Sequence, residues 1–186
     1  MTSLKRFSQH FQPSICLILL LAISASLLIA GGASRADVPG QVVIRGISWI
    51  ILLIAVLFGP RRTIRGNGPA FGFMLSIFLL VALQLIPLPP SVWQALPGRQ
   101  VLTYAATAAA ESQPWRPWSI VPGATGNALQ SLIVPFTVMI LLAGLKPSEQ
   151  AWVPRILLCL VTLSALVGLA QFTGIIIANP LINDSP

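Results

Sequence analysis

Residues 42–59 read VVIRGISWIILLIAVLFG, an apolar run interrupted by a single charge, Arg45. At 1.5 Å rise per residue, an apolar run of this length matches a hydrocarbon core roughly 30 Å thick. Arg45 lies close enough to one end for its guanidinium to extend to the interface, whereas a fixed Arg at mid-bilayer would cost about 2.5–3.5 kcal/mol. The stretch is read as a transmembrane helix with a snorkelling Arg45.

Comparable runs lie on both sides of it, at Ser14–Ala33, Ala70–Leu88, Ala128–Leu145 and Ile156 to about Ile177. Apolar residues make up 55% of the 186 positions and charged residues 8%, roughly a third of the charged share of an average soluble protein. Such a chain cannot cover a water-facing surface. The expected fold is therefore all-α, a polytopic transmembrane helix bundle of about five spans with one long periplasmic loop. Its parts are a leader at 1–13, three spans within 14–88, the loop at 89–127, two spans within 128–177 and a polar tail at 178–186. The first run follows Lys5 and Arg6 as a signal peptide would, and Ser34-Arg35-Ala36 before Asp37 resembles a cleavage site. It exceeds the usual length of a signal h-region and more spans follow, so it is read as retained. Pro135, in the fourth run, is expected to kink its helix. In the loop, Ser91 after Pro89-Pro90 reads as a helix cap, with Val92, Trp93 and Leu96 laying a short helix on the membrane surface.

The formal net charge is +7, but the Lys and Arg residues are scattered through short loops and form no aromatic-studded basic face. Nucleic acid is not expected as a partner. The charge is better used for orientation, because Lys and Arg in short loops are retained on the cytoplasmic side. A cytoplasmic amino terminus places Lys5, Arg6, Arg61, Arg62, Arg65, Lys146 and Arg155 inside. Arg35, Arg45, Arg99 and Arg116 then fall outside, spread over more chain, and the long segment Ser91–Gly126 faces the periplasm. The expected location is a bacterial inner membrane, with membrane lipid as the first partner.

His10 is the sole histidine and lies in the leader, so no His-based triad, metal cluster or proton relay is expected within the bundle. Asp37, Glu111, Glu149 and Asp184 all lie outside the runs, which weakens an ion-coupled transporter reading. Cys16 and Cys159 are far apart, belong to no CxxC pair and read as packing residues. No cofactor and no catalytic residue is assigned. Gly123-Ala124-Thr125-Gly126-Asn127 opens the fourth helix without Walker spacing and reads as turn chemistry rather than a phosphate loop. Small residues four apart (Ala22, Ser26 and Ala30; Gly68 and Gly72; Ser164 and Gly168) read as helix-packing faces.

Trp115-Arg116-Pro117-Trp118 carries two readings. Its indoles and guanidinium suit an interfacial aromatic belt with an anchored Arg. They also suit contact with a saccharide or lipid phosphate, because Arg forks onto phosphate oxygens. Arg99, with Trp93 and Tyr104 near it in sequence, permits the same two readings. Arg116, Trp115, Trp118 and Arg99 are the candidate substrate contacts.

The string Leu83-Gln84-Leu85-Ile86-Pro87-Leu88-Pro89-Pro90-Ser91-Val92-Trp93-Gln94-Ala95-Leu96 resembles a segment of the O-antigen ligase and polymerase family. Trp115-Arg116-Pro117-Trp118-Ser119-Ile120-Val121-Pro122-Gly123-Ala124-Thr125 resembles that family's next landmark, and Ala165–Gly174 its fifth-span region. The resemblance covers most of the chain from about Ala70 onward. It implies a many-helix membrane glycosyltransferase that moves a glycan from an undecaprenyl-diphosphate carrier onto a lipid A core or another repeat unit. In that family the catalytic Arg and His residues lie in a large periplasmic loop between later helices. None of those positions carries over, and the expectation is an amino-terminal part, either truncated or a degenerate or split member. The rival expectation is a non-enzymatic membrane scaffold or assembly subunit.

Overall fold

The computed structural model describes residues 13–30, 39–60, 67–110 and 112–173. The flanking charges Lys5, Arg6, Arg35, Arg61, Arg62 and Arg65, the acids Asp37, Glu111 and Asp184, and His10 lie outside the described residues. In chain order the elements are α1 (Ile15–Ala30), α2 (Pro39–Phe58), α3 (Gly68–Leu83), β1 (Pro87–Leu88), α4 (Pro90–Trp93) and α5 (Gln100–Ala108). There follow β2 (Arg116–Pro117), α6 (Pro122–Ser131), α7 (Ile133–Ala143), α8 (Pro147–Gln150) and α9 (Val153–Phe172).

Among the described residues each of the five apolar runs falls mostly on helix, and the fold is all-α apart from two paired two-residue strands. Among the described residues, three helical stretches are long and apolar enough to cross a membrane: Pro39–Phe58, Pro122–Ala143 and Pro147–Ala170. In the last, the turn Pro147–Gln150 is polar and the strongly apolar part starts at Ile156. Ile15–Ala30 and Gly68–Leu83 are shorter apolar helices. The chain is thus a helical membrane protein.

Two boundaries differ from the expected ones, and proline explains both. The third helix ends at Leu83 instead of continuing to Leu88. Gln84, Leu85 and Ile86 donate to carbonyls three residues back, a tightening that precedes Pro87, which has no N–H to continue a helix. The fourth run is divided at Leu132 into α6 and α7. Pro135 cannot donate to the carbonyl four residues back, that of Ser131, and α6 ends at that residue.

The chain forms two compact units, one comprising residues up to Asn67 and from Val134, the other Gly68–Ile133. In the first, α1 buries Cys16, Leu17, Leu19, Leu20 and Ile23, and α2 buries Gly40, Ile44, Ser48, Ile51 and Ala55. These three- and four-residue spacings put each set on one helix face. Leu141 of α7 and Leu145 complete the cluster. A Cβ added to Gly144 would lie 2.6 Å from the Cys16 Sγ, so the absence of a side chain there sets how closely the chain after α7 approaches α1. Cys16 is a packing residue, whereas Cys159 is exposed on α9.

Two buried hydroxyls of this core are bonded in place. Thr137 Oγ1 donates to the Ser48 carbonyl at 3.3 Å, and Ser48 Oγ to that of Ile44 at 2.7 Å, which links α7 to α2 without an unsatisfied hydroxyl. Arg45 Nη2 donates to Gln41 Oε1 at 2.9 Å, one turn toward the start of α2.

Among the described residues Glu149 is the most enclosed charge of this unit, 1% exposed. Its Oε1 accepts the Ser14 N–H at 2.6 Å and its Oε2 the Ser14 hydroxyl at 2.6 Å and the Lys146 N–H at 3.0 Å. Ser14 Oγ in turn accepts the Leu17 N–H at 3.2 Å. The start of α1 is thus capped in two tiers, by Ser14 and then by an acid from the turn before α9, in the region where a helix dipole favours negative charge. Burial pushes the Glu149 carboxyl up, but the Ser14 and Lys146 hydrogen bonds and the Lys146 charge outweigh it and hold the group below the ordinary carboxylate range.

Candidate functional site

The second unit carries all four candidate contacts. Pro90 opens α4 at a position where its missing N–H costs nothing, and this turn swings Trp93 inward. Trp93 is fully buried, and its indole N–H donates to the Pro114 carbonyl at 3.0 Å. The expected surface helix formed by Val92, Trp93 and Leu96 is therefore corrected. Helix α4 stops at Trp93, whose buried, bonded indole is unavailable to a membrane surface.

Gly98, at φ +79°, reverses the chain into α5, a conformation that glycine adopts at little steric cost. Arg99 precedes α5 and is itself buried. Its Nη2 donates to the carbonyls of Pro117, at 3.3 Å, and Trp118. Two backbone dipoles thus receive a guanidinium that has left water.

Strands β1 and β2 pair antiparallel, with Pro87 opposite Pro117 and Leu88 opposite Arg116. Because prolines lack a donor, the ladder is short. It is extended by the Ser119 N–H donating to the Gln84 carbonyl at 2.9 Å. The Ser119 and Thr125 hydroxyls bond each other at 2.6 Å and tie this exit to α6.

Arg116 lies over the Trp93 ring, its guanidinium carbon 5.4 Å from the ring centroid. This is cation–π geometry, stronger when the pair is shielded from water. Its Nε is buried and has no hydrogen-bond partner among the described residues, as is also true of Gln113 Oε1. Gln113 Nε2 donates to the Thr103 carbonyl at 3.3 Å, holding the approach to the ribbon against α5. Trp115 and Trp118, on either side of the ribbon, are exposed, as is Tyr104 on α5.

The structure joins Arg99 to Trp118 through a carbonyl and Arg116 to Trp93 through the ring. It leaves the indoles of Trp115 and Trp118 facing outward. Sequence reasoning missed the base on which Arg116 rests, because Trp93 looked like a surface residue. It also missed Gln113, for which no local signal exists. Gly123–Asn127 lies in the first turns of α6. Among the described residues no group of three or more His, Cys, Asp or Glu could hold a metal ion. Chemically, the arrangement offers a held cation beside exposed aromatic faces, which suits binding rather than proton transfer.

Comparison of the chain with protein-family models, curated proteins and solved structures finds no match in any of the three.

Proposed function

We propose that this chain is the amino-terminal, five-helix part of an O-antigen ligase or polymerase-like glycosyltransferase. On this reading it sits in a bacterial inner membrane with its amino terminus in the cytoplasm. It is inactive alone and supplies membrane scaffold and part of the periplasmic entrance for the undecaprenyl-diphosphate-linked glycans on which the complete enzyme acts in the synthesis of lipopolysaccharide and related surface polysaccharides. The observation that carries the reading is Arg116, half-buried and held over Trp93, beside the exposed indole of Trp115. A guanidinium braced in this way suits a diphosphate, to which Arg donates in a fork. The exposed Trp115 indole suits the C–H face of a sugar ring. The resemblance of the strings at Leu83–Leu96 and Trp115–Thr125 to that family supports the same assignment.

The test is Arg116→Ala in cells making the complete enzyme, with glycan transfer read from the surface polysaccharide and protein abundance from the membranes. Transfer is expected to fall about tenfold or more, as for loss of a charged contact, at nearly unchanged abundance. Equal losses of both would reduce Arg116 to an anchor. A second reading, a non-enzymatic scaffold or assembly subunit, draws on α9, whose candidate span has no buried share. Co-purification of a stable partner, with surface polysaccharide unaffected by deletion of the gene, would favour it.

A further inference from the structure

Helix α5 is inside out for a helix in water. Val101, 74% exposed, and Tyr104, 72% exposed, share a face with Ala105 and Ala108, also exposed, while Ala106 is buried. The three- and four-residue spacing makes this one continuous apolar stripe, and α5 carries no charge. Trp118, Ile120 and Val121 are likewise exposed. An apolar stripe on a segment outside the spans calls for a partner.

The hydrogen bonds of the ribbon fix the level at which these residues lie. Ser119 donates to the carbonyl of Gln84, the first residue beyond the apolar helix α3, on which no residue is buried. With consecutive Cα atoms about 3.8 Å apart, Trp118 and Ile120 must lie near that helix end. Arg99, bonded to the Trp118 carbonyl, brings the start of α5 to the same end. Val121 directly precedes Pro122, where the membrane-length stretch Pro122–Ala143 begins.

We infer that the exposed face of α5 and the Trp118–Val121 segment are seated in the headgroup–acyl boundary of the bilayer that α3 enters, with lipid covering them. The Ser119–Gln84 hydrogen bond joins this surface to the end of α3, an apolar helix with no buried residue, which favours lipid over a protein partner. Tyr104 and Trp118, each with an apolar body and one polar atom, suit that boundary, where aromatic belts form. An uncharged helix lying in the interface plane is held there by its buried apolar area.

The experiment uses the whole chain in phosphatidylcholine vesicles. Trp49, Trp115, Trp118 and Trp152 are changed to Phe, leaving Trp93, and Tyr104→Trp, Val101→Trp or a restored Trp118 serves as the reporter. Its fluorescence is quenched by lipids brominated either near the headgroup or deep in the acyl chain, and by aqueous iodide. Shallow bromines are expected to quench each reporter about twice as strongly as deep ones, with weak iodide quenching, as for an interfacial side chain. Strong iodide quenching without bromolipid quenching would place α5 in water. Silence toward all quenchers would place it under protein, including a second copy, and either result overturns the inference. Where the fourfold variant loses the blue-shifted emission of buried Trp93, the same quenching is read as the difference between the Tyr104→Trp chain and wild type.

Discussion

Replacing Glu149 with Ala is expected to destabilise the first helical unit more than any other single change to a charged residue there. Three donors lose their acceptor: the Ser14 N–H and hydroxyl, each at 2.6 Å, and the Lys146 N–H at 3.0 Å. Hydrogen bonds to a charged group contribute about 1.5–3 kcal/mol each, and burying the carboxylate offsets several kcal/mol of the sum. The net loss is about 2–4 kcal/mol, since the Ser14 and Lys146 N–H groups are left without a partner. Glu149→Gln keeps an acceptor but turns an amide donor toward these donors, and should lose about half as much. The pH dependence follows from the lowered carboxyl of Glu149. Its contribution is fully present above the ordinary carboxylate range and is lost as the pH falls through the lowered folded-state value, because folding then requires an acid that stays ionised. Equilibrium unfolding in mixed micelles, followed by circular dichroism at neutral and acid pH, measures both effects. Combining Ser14→Ala with Glu149→Ala isolates the coupling, expected at about 1–2 kcal/mol. A Glu149→Ala loss below about 0.5 kcal/mol, the range of an ordinary surface change, would refute the cross-helix cap.

Gly144→Ala places a methyl 2.6 Å from the Cys16 Sγ and should cost about 1–3 kcal/mol by overpacking. Adding Cys16→Ala should recover part of that in the same unfolding assay, and strictly additive effects would refute the contact. Arg99→Ala removes the donor to the Pro117 and Trp118 carbonyls, so chymotryptic cleavage after Trp118 should speed up about tenfold, as for an opening equilibrium shifted by one charged hydrogen bond. Unchanged cleavage would mean that the ribbon holds without it.

The sequence by itself determined that five apolar runs become helices, since each run satisfies its own backbone groups and its composition alone decides its preference for lipid. Pro87 and Pro135 also carried their consequences locally, as lost N–H donors, although which residue ended each helix emerged only in the folded chain. The indole–guanidinium pattern of Trp115, Arg116 and Trp118 was legible as a ligand-binding candidate. Its geometry was not, because the ring beneath Arg116 comes from Trp93, across a turn and a helix. Only tertiary structure turned Trp93 inward, drew Arg99 under the Trp118 carbonyl and brought Glu149 to Ser14, 135 residues away. Hydropathy is summed over neighbours in sequence, whereas a buried polar atom is satisfied by whichever partner the packed helices bring within about 3 Å. That choice belongs to the fold.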